Sequence, residues 1–255
     1  MKDSLGIEIA GNAVRYVQIG GGRVTAVDEI RGNELDFTLN KVKEATAWDK
    51  AVITVSLAEF HARKVPSMDD ELLNILMRMH LGKDFIWQKK GGFLAIAPKG
   101  TLQAIYNALY SAGIQTMAIE ISPFSVLRTY FENYPERRSS NAVIAYFTEV
   151  ASSLCFIKSG TPILIVTRPI DEPPEETVKS MVYLGDMTFE ASPYEVFTCG
   201  NIEYSKPFSD SLRGYLKDAN IYKLDPFRQV KGLGLPLVRA TIFSAALGAA
   251  LREIK

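Results

Sequence analysis

GIEIAGNAVRYVQI, from Gly6 to Ile19, carries the reading of the whole chain. An apolar strand runs into a short turn, Ala10-Gly11-Asn12, and a second strand leaves it with period-two alternation. The pattern returns, eroded, in VIAYFTEVASSLCFIKSG from Val143 to Gly160. Two halves that open alike predict a duplicated fold with a cleft where the two turns face each other. Whether that cleft still holds a phosphate separates an enzyme from a scaffold.

Outward from the first hairpin, Gly20-Gly21-Gly22 makes a turn and Arg23 to Ile30 reads as a third strand. A helix is expected from Leu39 to Ala45, a strand from Ala51 to Val55, and another from Glu59 to Val65, stopped by Pro66. Ser67 is expected to cap a helix that buries Leu72, Leu73, Ile75, Leu76 and Met79, with Asp69, Asp70 and Glu71 suited to its positive end. A strand from Phe93 to Ala97 leads to a helix from Thr101 to Ser111, ended by Gly113. Ile114 to Ile121 is a strand, and Pro123 opens a helix through Phe131. Asn133 to Asn141, polar and proline-bearing, reads as the linker between halves.

In the second half, Thr161 to Thr167 is the third strand and Arg168 to Pro174 a loop. Helices are expected at Glu175–Leu184 and Ser209–Ala219, with strands at Glu195–Thr198 and Ile221–Leu224. A terminal helix from Val238 to Ile254 carries Ala245, Ala246, Gly248, Ala249 and Ala250, small enough to approach a sheet closely. Meandering strands followed by helix–strand alternation in each half indicate an α/β fold with a mixed sheet covered on both faces.

Composition narrows the function. Lys+Arg and Asp+Glu both number 29 among 255 residues, which gives no electrostatic case for a nucleic-acid partner. A chain of this size buries roughly 70–75% of its unfolded surface. No apolar run of about 18 residues exists to span a membrane. The polar start, Lys2-Asp3-Ser4, is not that of a secretory signal, so a cytoplasmic location is expected. Cys155 and Cys199 lack pairing or metal-ligand spacing and read as buried, reduced thiols. His61 and His80 have no acidic or nucleophilic neighbours at useful spacing, so neither a catalytic histidine nor a metal cluster is expected.

An ordered series of short pieces resembles the PilM family of actin-like proteins from type IV pilus assembly. It is also similar to the related cytoplasmic domain of the type II secretion L protein. The pieces are Gly6-Ile7-Glu8-Ile9 with Val14 to Val17, Arg63-Lys64-Val65-Pro66, Ser111-Ala112-Gly113-Ile114, Thr167-Arg168-Pro169-Ile170, Asp225-Pro226-Phe227 and Ala246-Leu247-Gly248-Ala249-Ala250-Leu251-Arg252. The resemblance implies an actin-like (ribonuclease H-like) duplicated two-lobe α/β fold with mixed sheets. Lobe I would span 1–135, with a small α/β subdomain inserted at about Ser56 to Met117. Lobe II would span 140–255, with a reduced insertion. It further implies a cytoplasmic protein, peripheral at the inner membrane, that grips the N-terminal tail of a PilN-like membrane protein near the assembly motor ATPase, with a homodimer possible. The secretion homologue would continue into a membrane helix, so an end at Lys255 favours the pilus type.

Actin-like ATPases hold the Mg²⁺ water shell with an acidic residue at the first turn, and use glycines so that N–H groups reach the phosphates. In place of the family's Asp-x-Gly stands Glu8-Ile9-Ala10, followed by Gly11 and Asn12. The second turn carries Tyr146-Phe147-Thr148, without a carboxylate, and Glu149 beyond it reads as a solvated turn residue. The adenine-site Gly-Gly becomes Cys199-Gly200, and the stretch 168–195 is too short for the usual cleft wall. Glu8, Gly11, Asn12, Thr148 and Gly200 are therefore read as a vestigial nucleotide site, with no catalytic residue, metal or resident cofactor. The bland alternatives are a lysine partner for Glu8 at a strand edge, and Arg15 and Arg63 as exposed strand residues. Partner contact is assigned to Phe60, Arg63, Leu72, Ile75 and Met79, with core packing as the competing account of Leu72 and Ile75. Met68, Met77 and Met79 suit an adaptable surface. The leading expectation is a non-enzymatic adaptor; a divergent Mg-ATP-binding ATPase and a filament former stay open beside it.

Overall fold

The opening hairpin forms as its pattern requires. β1 (Ser4–Ala10) and β2 (Ala13–Gly20) pair antiparallel, and Gly11 makes the turn in the left-handed region at φ +59°. β3 (Arg23–Arg31) adds to β2, α1 (Leu35–Ala45) crosses over, and β4 (Lys50–Val55) returns parallel to β1. The insertion follows as β5 (His61–Lys64), α2 (Asp70–Leu81), β6 (Phe85–Lys90), β7 (Phe93–Pro98) and α3 (Lys99–Ser111), before β8 (Gln115–Ile121) and α4 (Ser122–Asn133). The second half repeats the plan with β9 (Ala142–Phe147), β10 (Ala151–Lys158), β11 (Thr161–Pro169), α5 (Pro174–Phe189), β12 (Glu195–Gly200), α6 (Ile202–Tyr215) and β13 (Ile221–Lys223). α7 (Leu237–Ala240) and α8 (Ser244–Ala250) close the chain. This computed structural model describes residues 3–252 apart from 47, 59, 66–68, 82, 91, 191, 217–219 and 231–232.

Two mixed sheets result, one of five strands in the order β3-β2-β1-β4-β8 and one of eight in the order β13-β12-β9-β10-β11-β5-β7-β6. Their aliphatic runs are buried on both faces, as at Ile7, Ile53, Ile144 and Phe156. Small residues let α8 lie in direct contact with β1 and α4. A methyl group on Gly6 would fall 2.1 Å from the Ala246 carbonyl oxygen, and one on Gly248 would fall 1.8 Å from that of Ser125.

The insertion departs from expectation. β5 pairs antiparallel with β11, Ala62 opposite Ile165, so these strands extend the second half's sheet. FIWQKK forms β6, a strand that the sequence reading passes over although Phe, Ile and Trp favour it. On α2 Leu73 is buried, but Leu72, Ile75 and Met79 are 50%, 51% and 75% exposed. Their spacing makes one stripe, and that stripe faces outward. Asp69 caps α2, its carboxylate accepting from the N–H groups of Glu71 and Leu72 at 2.8 and 3.2 Å. Glu59, Pro66, the expected cap Ser67, Met68 and the expected helix ends at Ala219 and Ile254 lie outside the described residues.

Other boundaries move for local reasons. α6 begins at Ile202 because Asn201 caps it, accepting from the Glu203 N–H, and Pro207 is carried inside the helix. The terminal helix is broken into α7, a 3₁₀ turn at Thr241–Phe243, and α8. The linker is no loose tether. α4 runs through buried Asn133, Tyr134 stacks on Tyr130 at 5.5 Å, and Arg137 pairs with Glu195.

Candidate functional site

Each strand of the first sheet contributes one polar residue to a single row, and the register aligns these residues. Glu29 on β3 stands opposite Arg15 on β2, Arg15 opposite Glu8 on β1, Glu8 opposite Thr54 on β4, and Thr54 opposite Glu120 on β8. A polar row thus crosses the whole sheet on one face. One part of it meets the seam between the lobes. Its β8 end meets a groove under the insertion.

At the seam, Arg15 is fully buried. Its Nε donates to Glu29 Oε2 at 2.6 Å, its Nη2 pairs with Glu149 from the second turn, and its Nη1 lies 3.5 Å from Glu8 Oε2. Arg31 bridges Glu29 and Glu149 at 2.8 and 3.0 Å. The Asn201 amide also donates to Glu149, at 3.0 Å. The Tyr146 hydroxyl donates to Glu8 Oε1, and the Ser56 hydroxyl lies 3.3 Å from the same oxygen. The reading of Arg15 as exposed and Glu149 as solvated is therefore corrected: they are the two poles of this cluster. They come from opposite lobes, so strand pattern alone does not pair them. Glu8 likewise sits on a central strand, and its cation is Arg15, not a lysine.

Burial pushes Glu8 up to about 7, against the pull of Arg15, with Glu149 adding to the rise. Burial works against the charge on Arg15, but Glu8, Glu149 and Glu29 outweigh it and hold the guanidinium protonated. Burial also works upward on Glu29, yet bonds from Arg31 and Arg15 hold it below the usual carboxylate range. The charges agree with this. Two guanidiniums face three carboxylates, and Glu8 is the one of the three with no exposure at all.

The remaining nucleotide-site residues have structural roles. A methyl on Gly11 would lie 2.9 Å from Val150 Cγ1, because the second turn packs against the first. The Asn12 carbonyl accepts from the Gly32 N–H at 3.0 Å. Thr148 closes its own turn, its hydroxyl accepting from the Ala151 N–H at 3.1 Å. Gly200, at φ +91°, is demanded by β9: a methyl there would lie 2.0 Å from the Phe147 carbonyl oxygen. A magnesium triphosphate needs a free acidic oxygen and open N–H groups between the turns. These residues do not fit it. Glu8 is turned into Arg15 and Tyr146, Val150 packs on the Gly11 turn, and Glu149 adds an anion.

The groove, about 360 Å³, lies between β6–β7 and β8–α4. Phe60, Trp87, Phe93, Ile119 and Phe124 supply apolar walls, with Phe124 edge-on to Phe60 and Phe93 at 6.1 and 6.0 Å. Arg128 and Arg252 donate to Glu120 at 2.7 and 2.9 Å at one end. β8 and β6 are each the last strand of a sheet, so both borders of the groove are strand edges. Of the residues expected to meet a partner, Phe60 lines this groove. Arg63 is exposed on β5, and Leu72, Ile75 and Met79 are exposed on α2. Sequence reasoning misses Glu120, Arg128 and Arg252; its available signal is a charge set between Ile119 and Ile121.

No protein-family profile and no curated protein matches the chain by sequence. Solved structures do match. The PilM-PilN type IV pilus biogenesis complex is similar with a TM-score of 0.74 and 15% identity, over 97% of this chain and 97% of that one. A Bacteroides thetaiotaomicron protein with an actin-like ATPase fold and unknown function matches at 0.61 and 13% identity, over 94% and 95%. The chain has an actin-like fold. The cytoplasmic domain of EpsL, an inner membrane component of the type II secretion system of Vibrio cholerae, matches at 0.54 and 13% identity, over 96% and 95%. The actin-like fold that the PilM resemblance implies is thereby established. Among the described residues no helix is long and apolar enough to cross a membrane, and no group of acids, histidines and cysteines is placed to hold a metal ion.

Proposed function

We propose that the chain is a non-enzymatic adaptor at the cytoplasmic face of an inner-membrane assembly platform of the pilus or secretion kind. In this reading it holds the N-terminal tail of a PilN-like membrane protein and couples it to the assembly motor ATPase. The observation that carries the reading is the seam, where Arg15, Glu8 and Glu149 close on one another in the place an ATPase keeps for phosphate and metal. A lobe pair closed in this way works by binding and orientation. Similarity to the PilM-PilN complex and to the EpsL domain supports the setting.

The groove is the seat assigned to the tail. An extended segment adds backbone hydrogen bonds to a strand edge and places alternate side chains in apolar pockets. Two arginines against one glutamate favour a tail carboxylate at that end. The exposed α2 stripe and Arg63 are assigned to a second contact with the same partner, outside the groove. The test is co-purification with the membrane protein encoded beside this chain. Complex formation is expected with the full-length partner and lost when its N-terminal tail is removed; an undiminished complex without the tail overturns the reading.

A further inference from the structure

The polar row is joined from seam to groove by buried hydroxyls. From Glu8 the contacts run to Ser56 at 3.3 Å, Ser56 to Ser122 at 2.9 Å, Ser122 to Thr54 at 3.3 Å, Thr54 to Ser125 at 3.0 Å, and Ser125 to Glu120. Thr54, Ser122 and Ser125 are wholly buried, and Ser56 is 9% exposed. Glu8 and Glu120 stand two strands apart, a separation on the order of 10 Å.

Each hydroxyl has one proton to donate. Four hydroxyls therefore supply four protons to five contacts. When both end groups are carboxylates, which only accept, one contact has no proton and a buried oxygen pair is left unbonded. A proton on Glu8 completes the chain in one direction, from Glu8 through Ser56, Ser122, Thr54 and Ser125 to Glu120. Glu120 is the accepting end, since Arg128 and Arg252 both donate to it. If Glu120 leaves Ser125, four contacts remain for four protons. The chain then reverses, and Glu8 is satisfied as a carboxylate.

We propose that this hydroxyl chain couples the groove to the lobe seam, so that a ligand drawing Glu120 off Ser125 releases the proton of Glu8 and adds a negative charge beside Arg15. The surroundings of Glu8 are consistent with the chain setting its state. β2 contributes Arg15, which carries Glu29; the second turn contributes Glu149; β9 contributes Tyr146; β12 contributes Cys199. β4 offers Thr54 and the segment after it Ser56, and α8 brings no titratable group. Burial places the Glu8 midpoint at about 7, where either state is accessible. By reciprocity the ligand's affinity for the groove would follow the protonation of Glu8. The biological meaning of the coupling rests on the groove being the tail's seat; the coupling itself does not.

The test needs no partner. Carbon-13 NMR of protein labelled at glutamate carboxyls reads the Glu8 midpoint, assigned by its loss in Glu8→Gln. Glu120→Gln supplies the missing proton from the far end, and Ser125→Ala removes two contacts with one hydroxyl, leaving three protons for three contacts. Each is expected to lower the Glu8 midpoint by a pH unit or more, a tenfold change. In a Ser122→Ala background, where the chain is cut, Glu120→Gln is expected to add nothing. An unmoved midpoint in both single variants overturns the proposal. So does an equal shift in the cut chain, which would mean direct electrostatics. Ser125→Ala keeps the test available if Glu120→Gln fails to fold. Loss of tail binding in a separate assay leaves this result standing, and a failed relay leaves the groove reading intact.

Discussion

The seam and the groove share one polar row and use it in opposite ways. At the seam Arg15 has no exposure, donates to Glu29 and Glu149, and lies 3.5 Å from Glu8, all carboxylates of its own chain. At the groove Arg128 and Arg252 remain 27% and 26% exposed and share one glutamate beside an open apolar cavity. At the seam the opposite charges close on one another, whereas at the groove two guanidiniums and one carboxylate lie beside open strand edges. One end of the polar row is thus closed by side chains while the other borders an open groove.

The comparison is broken most strongly at Arg15. Arg15→Met leaves Glu8, Glu29 and Glu149 around a buried gap and is expected to cost about 3–5 kcal/mol in urea unfolding. A loss below about 1 kcal/mol, the range of exposed pairs, would mean that the seam does not hold the lobes.

Glu8→Gln sharpens the same point. The folded state raises Glu8 from 4.5 to about 7, so it binds the proton more tightly than the unfolded chain. Stability from this group is fully present below pH 4.5 and is lost as pH rises through 7. Glu8→Gln should remove that slope, and in urea unfolding at pH 8.5 it should be more stable than the parent by an amount on the order of 2 kcal/mol. A parent that gains stability across the window contradicts the assignment.

At the groove, Phe124→Ala should weaken capture of the partner tail by roughly tenfold, the worth of a modest interface anchor. Equal capture by parent and variant removes the groove as the seat. The smallest effect is expected on α2. Met79→Ser should leave stability within about 0.5 kcal/mol and reduce tail capture only a few-fold. An effect as large as that at Phe124 would make the α2 stripe the principal contact.

The architecture was legible because period-two runs and small turns survive in both hairpins, and because 244–250 is built of residues that only close packing explains. What escaped the sequence was long-range. Nothing local says that Arg15 meets Glu149 across the lobes, that β5 joins β11, or that Glu120 receives one arginine from α4 and another from the segment after α8. The α2 stripe shows the same limit from the other side. The spacing of Leu72, Ile75 and Met79 gives a face, but which face points inward is decided by neighbours that the spacing does not name.

The central claim is that the seam has been closed to triphosphate. Isothermal titration calorimetry with Mg-ATP on the parent chain tests it most directly. No heat of binding is expected up to millimolar nucleotide. Micromolar binding that Glu8→Ala abolishes would contradict the account and make the chain a divergent ATPase.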